Sequence, residues 1–406
     1  MTNSPEQSSP VNNGPLAGIR VLELGSLIAG PFASRMLGEF GAEVIKVETP
    51  GTGDPIRKWR VLHEGNSLWW AVQARNKKSI TLNLKAEEGL AVLRKLIESA
   101  DMLVENFRPG QLEKWGLSPE QLQALNPGLI VVRLSGYGQT GPYKDRPGFG
   151  AIAESIGGMR FLSGDTDRPP VRVGISIGDS LAGLHAVIGA LMALQHRHKT
   201  GKGQVVDVAL YESVFNMMES LLPEYDFAGV VRKRSGASLP GIVPSNTYTC
   251  GCGGFIVIGG NGDAIFKRLM IAIGRSDFAE NPDMASNDGR VRHTELIDDT
   301  IAQWCKERSI DEALEVLEKA DVPVSKIYSI EDIVHDPQFA ARGMIEEHAF
   351  GEDRTLKVPG IVPKLSDTPG QTRWLGPKLG EHNAQVLEGL GYSAEEIQRM
   401  LDDGVI

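Results

Sequence analysis

Strand-like and helix-like segments alternate from Ile19 to Leu134, and this alternation constrains the fold more than any other feature of the chain. Ile19–Leu24 (IRVLEL) is short and apolar, as a buried strand is. A helix is predicted over Gly30–Gly41, with Pro31 in its first turn and Gly41 as its stop. Glu43–Glu48 (EVIKVE) alternates as a second strand. The pattern repeats with a strand at Ser79–Leu84, a helix at Ala86–Ala100, a strand at Asp101–Phe107, a helix at Ser118–Leu125 capped by Ser118, and a strand at Leu129–Leu134. Helices between strands return the chain to the edge where it began, so the strands are parallel and the crossovers right-handed. The expectation is an α/β fold with a Rossmann-like, doubly wound parallel sheet that binds ligands at the carboxyl ends of its strands. Those ends are Gly25–Gly30, Thr49–Asp54, Asn106–Gly110 and Ser135–Gly141.

Changes in character along the chain divide it. Residues 1–15 are polar and rich in Pro, Ser and Asn, and read as a flexible tail with no signal peptide. Residues 16–225 form the first part of the large Rossmann-like domain, in which Val205–Leu210 is a strand and Tyr211–Leu222 a helix. Residues 226–245 are Gly-, Pro- and base-rich and aperiodic, as a linker is. Residues 246–330 hold a small α/β domain, with a strand at Phe255–Gly259, helices at Asp263–Ile273, Thr294–Lys306 and Ile310–Lys319, and a strand at Val322–Ile327. Residues 331–406 are a linker and a helical return to the large domain.

Several function classes lose their support. No strand end carries G-x-G-x-x-G or the P-loop pattern. A net charge of −10 disfavours a nucleic-acid or anionic-membrane surface. No apolar run reads as long enough to span a bilayer. Three cysteines in 406 residues suit a reducing, cytoplasmic compartment. Cys250 and Cys252 lie in TCGCGG without further ligands nearby, so a hairpin turn is favoured over a metal site. His196 and His198 belong to a basic helix end, where they complement the macrodipole.

Val171–Leu194 carries a different signal. Val171–Ile177 alternates β-branched residues and reads as a strand or an extended segment. Leu181, Leu184, Val187, Ile188, Leu191 and Leu194 then recur at helical spacing as a buried stripe. Asp179 sits at the joint, where an aspartate commonly serves as a helix N-cap. Gly174, Gly178 and Gly183 surround it and permit close approach of another molecule.

The segments VLELGSLIAGPFASRMLGEFGAEVIKVE, RNKKSITLNLK, ENFRPGQLEKWG, SGYGQTGPY, GISIGDSLAG and RHKTGKGQVVDVALYES together resemble the family III coenzyme A transferases, the formyl-CoA and carnitine CoA-transferase group. The resemblance runs from about Leu16 to the end of the chain. ARNKKSITLNL, SGYGQTGPY and VALYESVFNMMESLLPEYD are most similar to bacterial members that move CoA from succinyl-CoA to dicarboxylates such as malate or citramalate. It implies a large domain built from both chain ends, a small domain between them, and a homodimer of two interlocked rings. The family nucleophile falls on Asp179. CoA-lining positions fall on Leu27, Ile28, Thr49, Leu82, Asn83, Leu84, Lys85, Asn106, Phe107, Arg108, Lys114, Ser135, Gly136, Tyr137 and Gly138. Thr49 and Lys114 stand where relatives can use arginine; Lys114 can still pair with a phosphate as a point charge. SLPGIVPSNTY occupies the place of a mobile four-glycine run, so a glycine lid is not implied.

The implied chemistry exchanges CoA between an acyl-CoA and a carboxylic acid, with CoA as substrate and no tightly bound cofactor or metal. A carboxylate attacks the thioester as covalent nucleophile. A dicarboxylate acceptor needs a cation at its distal end, for which Arg57 and Arg60 are candidates against the reading of exposed, solvated arginines. Two alternatives remain. A 2-methylacyl-CoA racemase of this fold would need an acid/base partner, and Arg146–Gly150 (RPGFG) lacks the histidine such enzymes carry there. A catalytically silent acyl-CoA-binding protein would not need the Gly178-Asp179-Ser180 joint.

Overall fold

The computed structural model describes residues 13–351 and 354–406, so most of the N-terminal tail lies outside the described residues. The chain divides into two compact units. One comprises residues up to Met159, Val173–Leu222 and Gly343–Ile406; the other comprises Arg160–Arg172 and Pro223–Arg342.

The first unit is built on six parallel strands: β1 (Arg20–Glu23), β2 (Glu43–Glu48), β3 (Lys77–Thr81), β4 (Met102–Glu105), β5 (Ile130–Ser135) and β6 (Val205–Ala209). Their order is β3-β2-β1-β4-β5-β6, and every neighbouring pair is parallel. This is the doubly wound order, whose switch point lies between β1 and β4. Helices α1 (Ala29–Glu39), α2 (Glu87–Glu98) and α3 (Pro119–Leu125) provide crossovers close to their expected positions. Ser118 caps α3 through a reciprocal capping box with Gln121. Leu22, Ile45, Ile80 and Leu103 from the sheet share one core with α2 and with Val386, Met400, Val405 and Ile406, so the end of the chain packs beside its beginning.

The second unit holds an antiparallel sheet of Ser245–Thr249 (β7), Phe255–Gly259 (β8) and Val324–Lys326 (β9), with β8 central. Cys250 and Cys252 lie in the β7–β8 turn, closed by Cys250 N–H donating to the Gly254 carbonyl at 2.8 Å. Ile256, Phe266, Ile301, Trp304 and Leu317 fill its core.

Four expectations need correction. Residues 171–176 are not a strand: no neighbouring strand offers hydrogen bonds, and Val171, Val173 and Ile175 are exposed. The helix at Tyr211–Leu222 ends at Phe215, and Glu219 then takes a left-handed backbone that helices do not contain. Much of the apolar stripe of the long helix α5 (Ile177–Thr200) faces outward, with Leu194 at its end buried. Its buried residues are Gly178, Ala182, Gly183, Ala186, Ala190, Ala193 and Leu194, whereas Leu184, Ile188, Leu191 and Met192 are 39–67% exposed. Small residues face inward because the neighbours are close: a Cβ on Gly183 would meet Phe32 of α1 at 2.6 Å, and one on Gly189 would meet Val206 of β6 at 2.5 Å. Finally, α5 is long and apolar enough by length and composition to cross a bilayer, but its small-residue face packs on α1 and β6 within this unit.

Candidate active site

The carboxyl ends of β1, β2 and β3 open onto a cavity of about 350 Å³, lined by Gly25, Ser26, Thr49, Leu82, Asn83, Leu84, Lys85 and Phe107, with Lys46, Glu48, Asp54 and Trp115. Six of the sequence-selected residues therefore share one wall: Thr49, Leu82–Lys85 and Phe107. Phe107 and Trp115 meet edge to face with ring centroids 5.2 Å apart, an apolar surface suited to a planar ring. Lys85 is the exposed cation on this wall. Arg108 and Lys114 are exposed and lie outside the lining.

A network of buried charges underlies the cavity. Lys46, centred in β2, donates to Glu23 at 2.7 Å and to the Gly25 carbonyl at 2.8 Å, and pairs with Asp54 at 2.9 Å. Lys77 pairs with the other Glu23 oxygen and donates to the Pro31 carbonyl, both at 2.7 Å. Glu48 accepts from Arg57, from the Ser79 hydroxyl and from the Asp54 N–H. Burial alone would lower the Lys46 pKa, but Glu23, Asp54 and Glu48 outweigh it and raise it. Lys77 has fewer carboxylates beside it, and burial pushes it down to about 8. Burial opposes ionisation of Asp54, yet Lys46 and the Ile56 and Leu27 N–H groups hold its pKa below the ordinary value.

Arg57 is not an exposed arginine. It forms a two-pronged pair with Glu48 at 2.7 Å, donates to the Pro377 carbonyl and lies 3.7 Å over the Trp70 ring. Its guanidinium is thus committed to the fold. Arg60 is exposed and lies over Trp69.

Leu27, Ile28 and Asn106 shape the turn between β1 and α1. Asn106 accepts from the Ser26 N–H and donates to the Ser26 carbonyl, both at 2.8 Å, across the β1–β4 switch point. Ile28 precedes α1, and its carbonyl accepts from Gln73.

Asp179 is not an N-cap. Ser176 holds that position without a side-chain bond, and Asp179 is the third residue of α5, half-buried in its first turn. Gly150, which opens helix α4 (Gly150–Ile156), lies against it: an added Cβ would fall 2.0 Å from Asp179 Oδ2. Glu154 of α4, 1% exposed, packs over Gly178. Gly136 abuts Gly148 so closely that a Cβ would lie 2.9 Å from its Cα. The Ser135–Gly138 segment is therefore joined to the Asp179 side of the unit rather than to the cavity wall. Tyr137 lies between Tyr143 and Tyr211, at 5.9 and 6.1 Å.

The two clusters meet through α1, since a Cβ on Gly183, one turn after Asp179, would lie 3.1 Å from the Ala29 carbonyl. Among the described residues no group of three or more His, Cys, Asp or Glu could hold a metal ion.

The sequence model of CoA-transferase family III matches residues 16–383. The chain belongs to that family. A Chloroflexus aurantiacus protein named succinyl-CoA–D-citramalate CoA-transferase is 48% identical over 391 residues, 95% of this chain and 96% of its own. The alpha subunit of a succinyl-CoA–L-malate CoA-transferase from Chloroflexus aurantiacus is 41% identical, over 97% of this chain and 92% of its own. The crystal structure of a CAIB/BAIF family protein from Brucella suis superposes with a TM-score of 0.83 at 34% identity, covering 93% of this chain and all of that one. This family III CoA-transferase thus shares fold and length with relatives that act on CoA thioesters. Lys46, Asp54 and Trp115, which line the cavity, and Glu154, which packs beside Gly178, are residues that sequence reasoning missed. A lysine flanked by Val44, Ile45 and Val47 within a parallel strand was the available signal for the first.

Proposed function

We propose that this enzyme moves CoA from succinyl-CoA to a small carboxylic or dicarboxylic acid through covalent intermediates on Asp179. Full-length similarity to two succinyl-CoA-dependent transferases supports the donor. The half-buried place of Asp179 in the first turn of a 24-residue helix, with glycine on the facing helix, supports its role as nucleophile.

The Asp179 carboxylate attacks the thioester carbonyl, forming a mixed anhydride and expelling the CoA thiolate. The thiolate attacks the aspartyl carbonyl, giving an Asp179–CoA thioester and releasing succinate. The acceptor carboxylate attacks that thioester, again expelling the thiolate and forming a second anhydride. Attack of the thiolate on the acceptor's acyl carbon yields the new acyl-CoA and restores Asp179. Each tetrahedral oxyanion needs N–H donors, which the first turn of α5 and the adjacent Gly-rich backbone supply in kind.

CoA lies across the strand ends, with Thr49, Leu82–Lys85 and Asn106–Phe107 along it, Lys85 or Lys114 near a phosphate, and its thioester end toward Ser135–Gly138 and Asp179. The enzyme works as a homodimer of interlocked rings in the cytoplasm. The outward Leu184, Ile188, Leu191 and Met192 of α5 supply the apolar surface that a second copy would cover. The reaction reading is tested by offering succinyl-CoA with a panel of three- to six-carbon acids and following the acyl-CoA products by mass spectrometry. Transfer to a dicarboxylate supports it. Solvent deuterium appearing at an α-carbon without transfer refutes it in favour of a racemase.

A further inference from the structure

Leu27 adopts a left-handed backbone, φ 65°, which a leucine rarely takes without support. Its N–H donates to both oxygens of Asp54, at 3.1 Å each. Every neighbour in the turn is also tied by a side chain from elsewhere: Gly25 by Lys46, Ser26 by Asn106, Ile28 by Gln73. Gly25 and Ser26 line the cavity, and the turn leads directly into Ala29, whose carbonyl faces α5 one turn after Asp179. This turn joins the two halves of the site.

We infer that Asp54 is a positioning residue, which holds the Gly25–Ile28 turn in its binding form through the strained backbone of Leu27. The inference rests on the reading of this cavity as the CoA site. Only a carboxylate meets the demands on Asp54. It accepts from Leu27 and Ile56 while paired with the Lys46 ammonium. An asparagine would turn an NH₂ donor toward either the N–H groups or Lys46. Asp54 is fixed in turn by its own N–H donating to Glu48 at 2.9 Å.

If Asp54 acts through the conformation of Leu27, then residue type at position 27 matters for its backbone rather than for its side chain. Glycine adopts a positive φ freely, whereas a β-branched valine resists it. Leu27→Gly and Leu27→Val are compared by calorimetric titration with coenzyme A and by steady-state kinetics with succinyl-CoA. Leu27→Val is expected to weaken CoA binding at least about fivefold more than Leu27→Gly, the scale of one residue held in a sparsely populated backbone region. The rise should appear in KM, with kcat changing by less than about threefold. Asp54→Asn should then weaken binding less in the Leu27→Gly background than in the wild type. Equal or greater loss from Leu27→Gly overturns the inference, and so does strict additivity with Asp54→Asn. If Asp54→Asn does not fold, the order of glycine and valine still decides. Wild-type protein that binds no coenzyme A overturns the underlying reading and this inference with it, whereas binding with the reversed order overturns this inference alone.

Discussion

Around Asp54 the backbone is held by charge, and around Asp179 by the absence of side chains. At the cavity, Glu23, Glu48 and Asp54 meet Lys46, Lys77 and Arg57, and these groups fix the strand-end turns. At the start of α5, Gly150 and Gly178 bring two helices together, and on the Gly150 side nothing larger than hydrogen fits beside the carboxylate. The first device suits a surface that must keep its shape while a large polar ligand comes and goes. The second suits a group that must react, since close backbone packing on one side narrows the positions open to the reacting oxygen. A substitution in the first region should therefore register in stability and affinity, and one in the second in turnover.

The sharpest break of this contrast is Asp179→Asn. It keeps the shape and removes the proposed nucleophile, so transfer should fall by at least about 10⁴-fold, the scale of losing a covalent catalyst. Coenzyme A affinity, measured by titration calorimetry, should persist. Next in size is Asp54→Asn, which leaves Lys46 short of a buried partner and should destabilise the protein by about 3–5 kcal/mol in urea melts. Its effect also depends on pH. Although burial favours protonation, Lys46 and two N–H groups hold the folded-state pKa of Asp54 below the unfolded one. Its contribution is thus fully present above the ordinary carboxylate range and lost as pH falls through the folded value. The gap in melting temperature between wild type and Asp54→Asn should narrow below about pH 4.

Gly150→Ala probes the other region. Its methyl group must displace the Asp179 carboxylate or helix α4, and a shift of about 1 Å in a reacting atom lowers kcat about 10²-fold. The melting temperature should change less than for Asp54→Asn. An equal loss of stability with unchanged turnover would erase the distinction between the regions. The smallest effect is expected at the cavity rim. Lys85→Ala should weaken coenzyme A binding more at low salt than at high salt, because an exposed cation acts on phosphate through screened charge. Lys114→Ala, outside the lining, should do so to a lesser degree.

The sequence revealed more of the framework than of the site. Glu43–Glu48 is a strand over the residues expected, because a parallel interior strand leaves a contiguous run with little freedom of register. Ile310–Lys319 is likewise a helix with the expected ends, fixed by the Ser309–Glu312 capping box. The face of α5 was misread because leucines usually point inward, whereas here Gly183 and Gly189 let α1 and β6 come too near for them. Thr49 and Phe107 could be placed together because parallel strands end on one edge, whereas Leu82–Lys85 were placed only by the family resemblance. Lys46 and Asp54 escaped notice because charges in a sequence read as solvated, and only the fold shows that they neutralise one another beneath the cavity. Arg57 was misread for the same reason.

The account turns on a covalent bond to Asp179. The enzyme is incubated with succinyl-CoA, quenched with hydroxylamine, digested and mapped by mass spectrometry. The peptide bearing Asp179 should carry a hydroxamate that is lost in Asp179→Asn, because hydroxylamine displaces CoA from the aspartyl thioester. An unmodified Asp179 in enzyme that still transfers CoA, or a hydroxamate on another carboxylate, would contradict it.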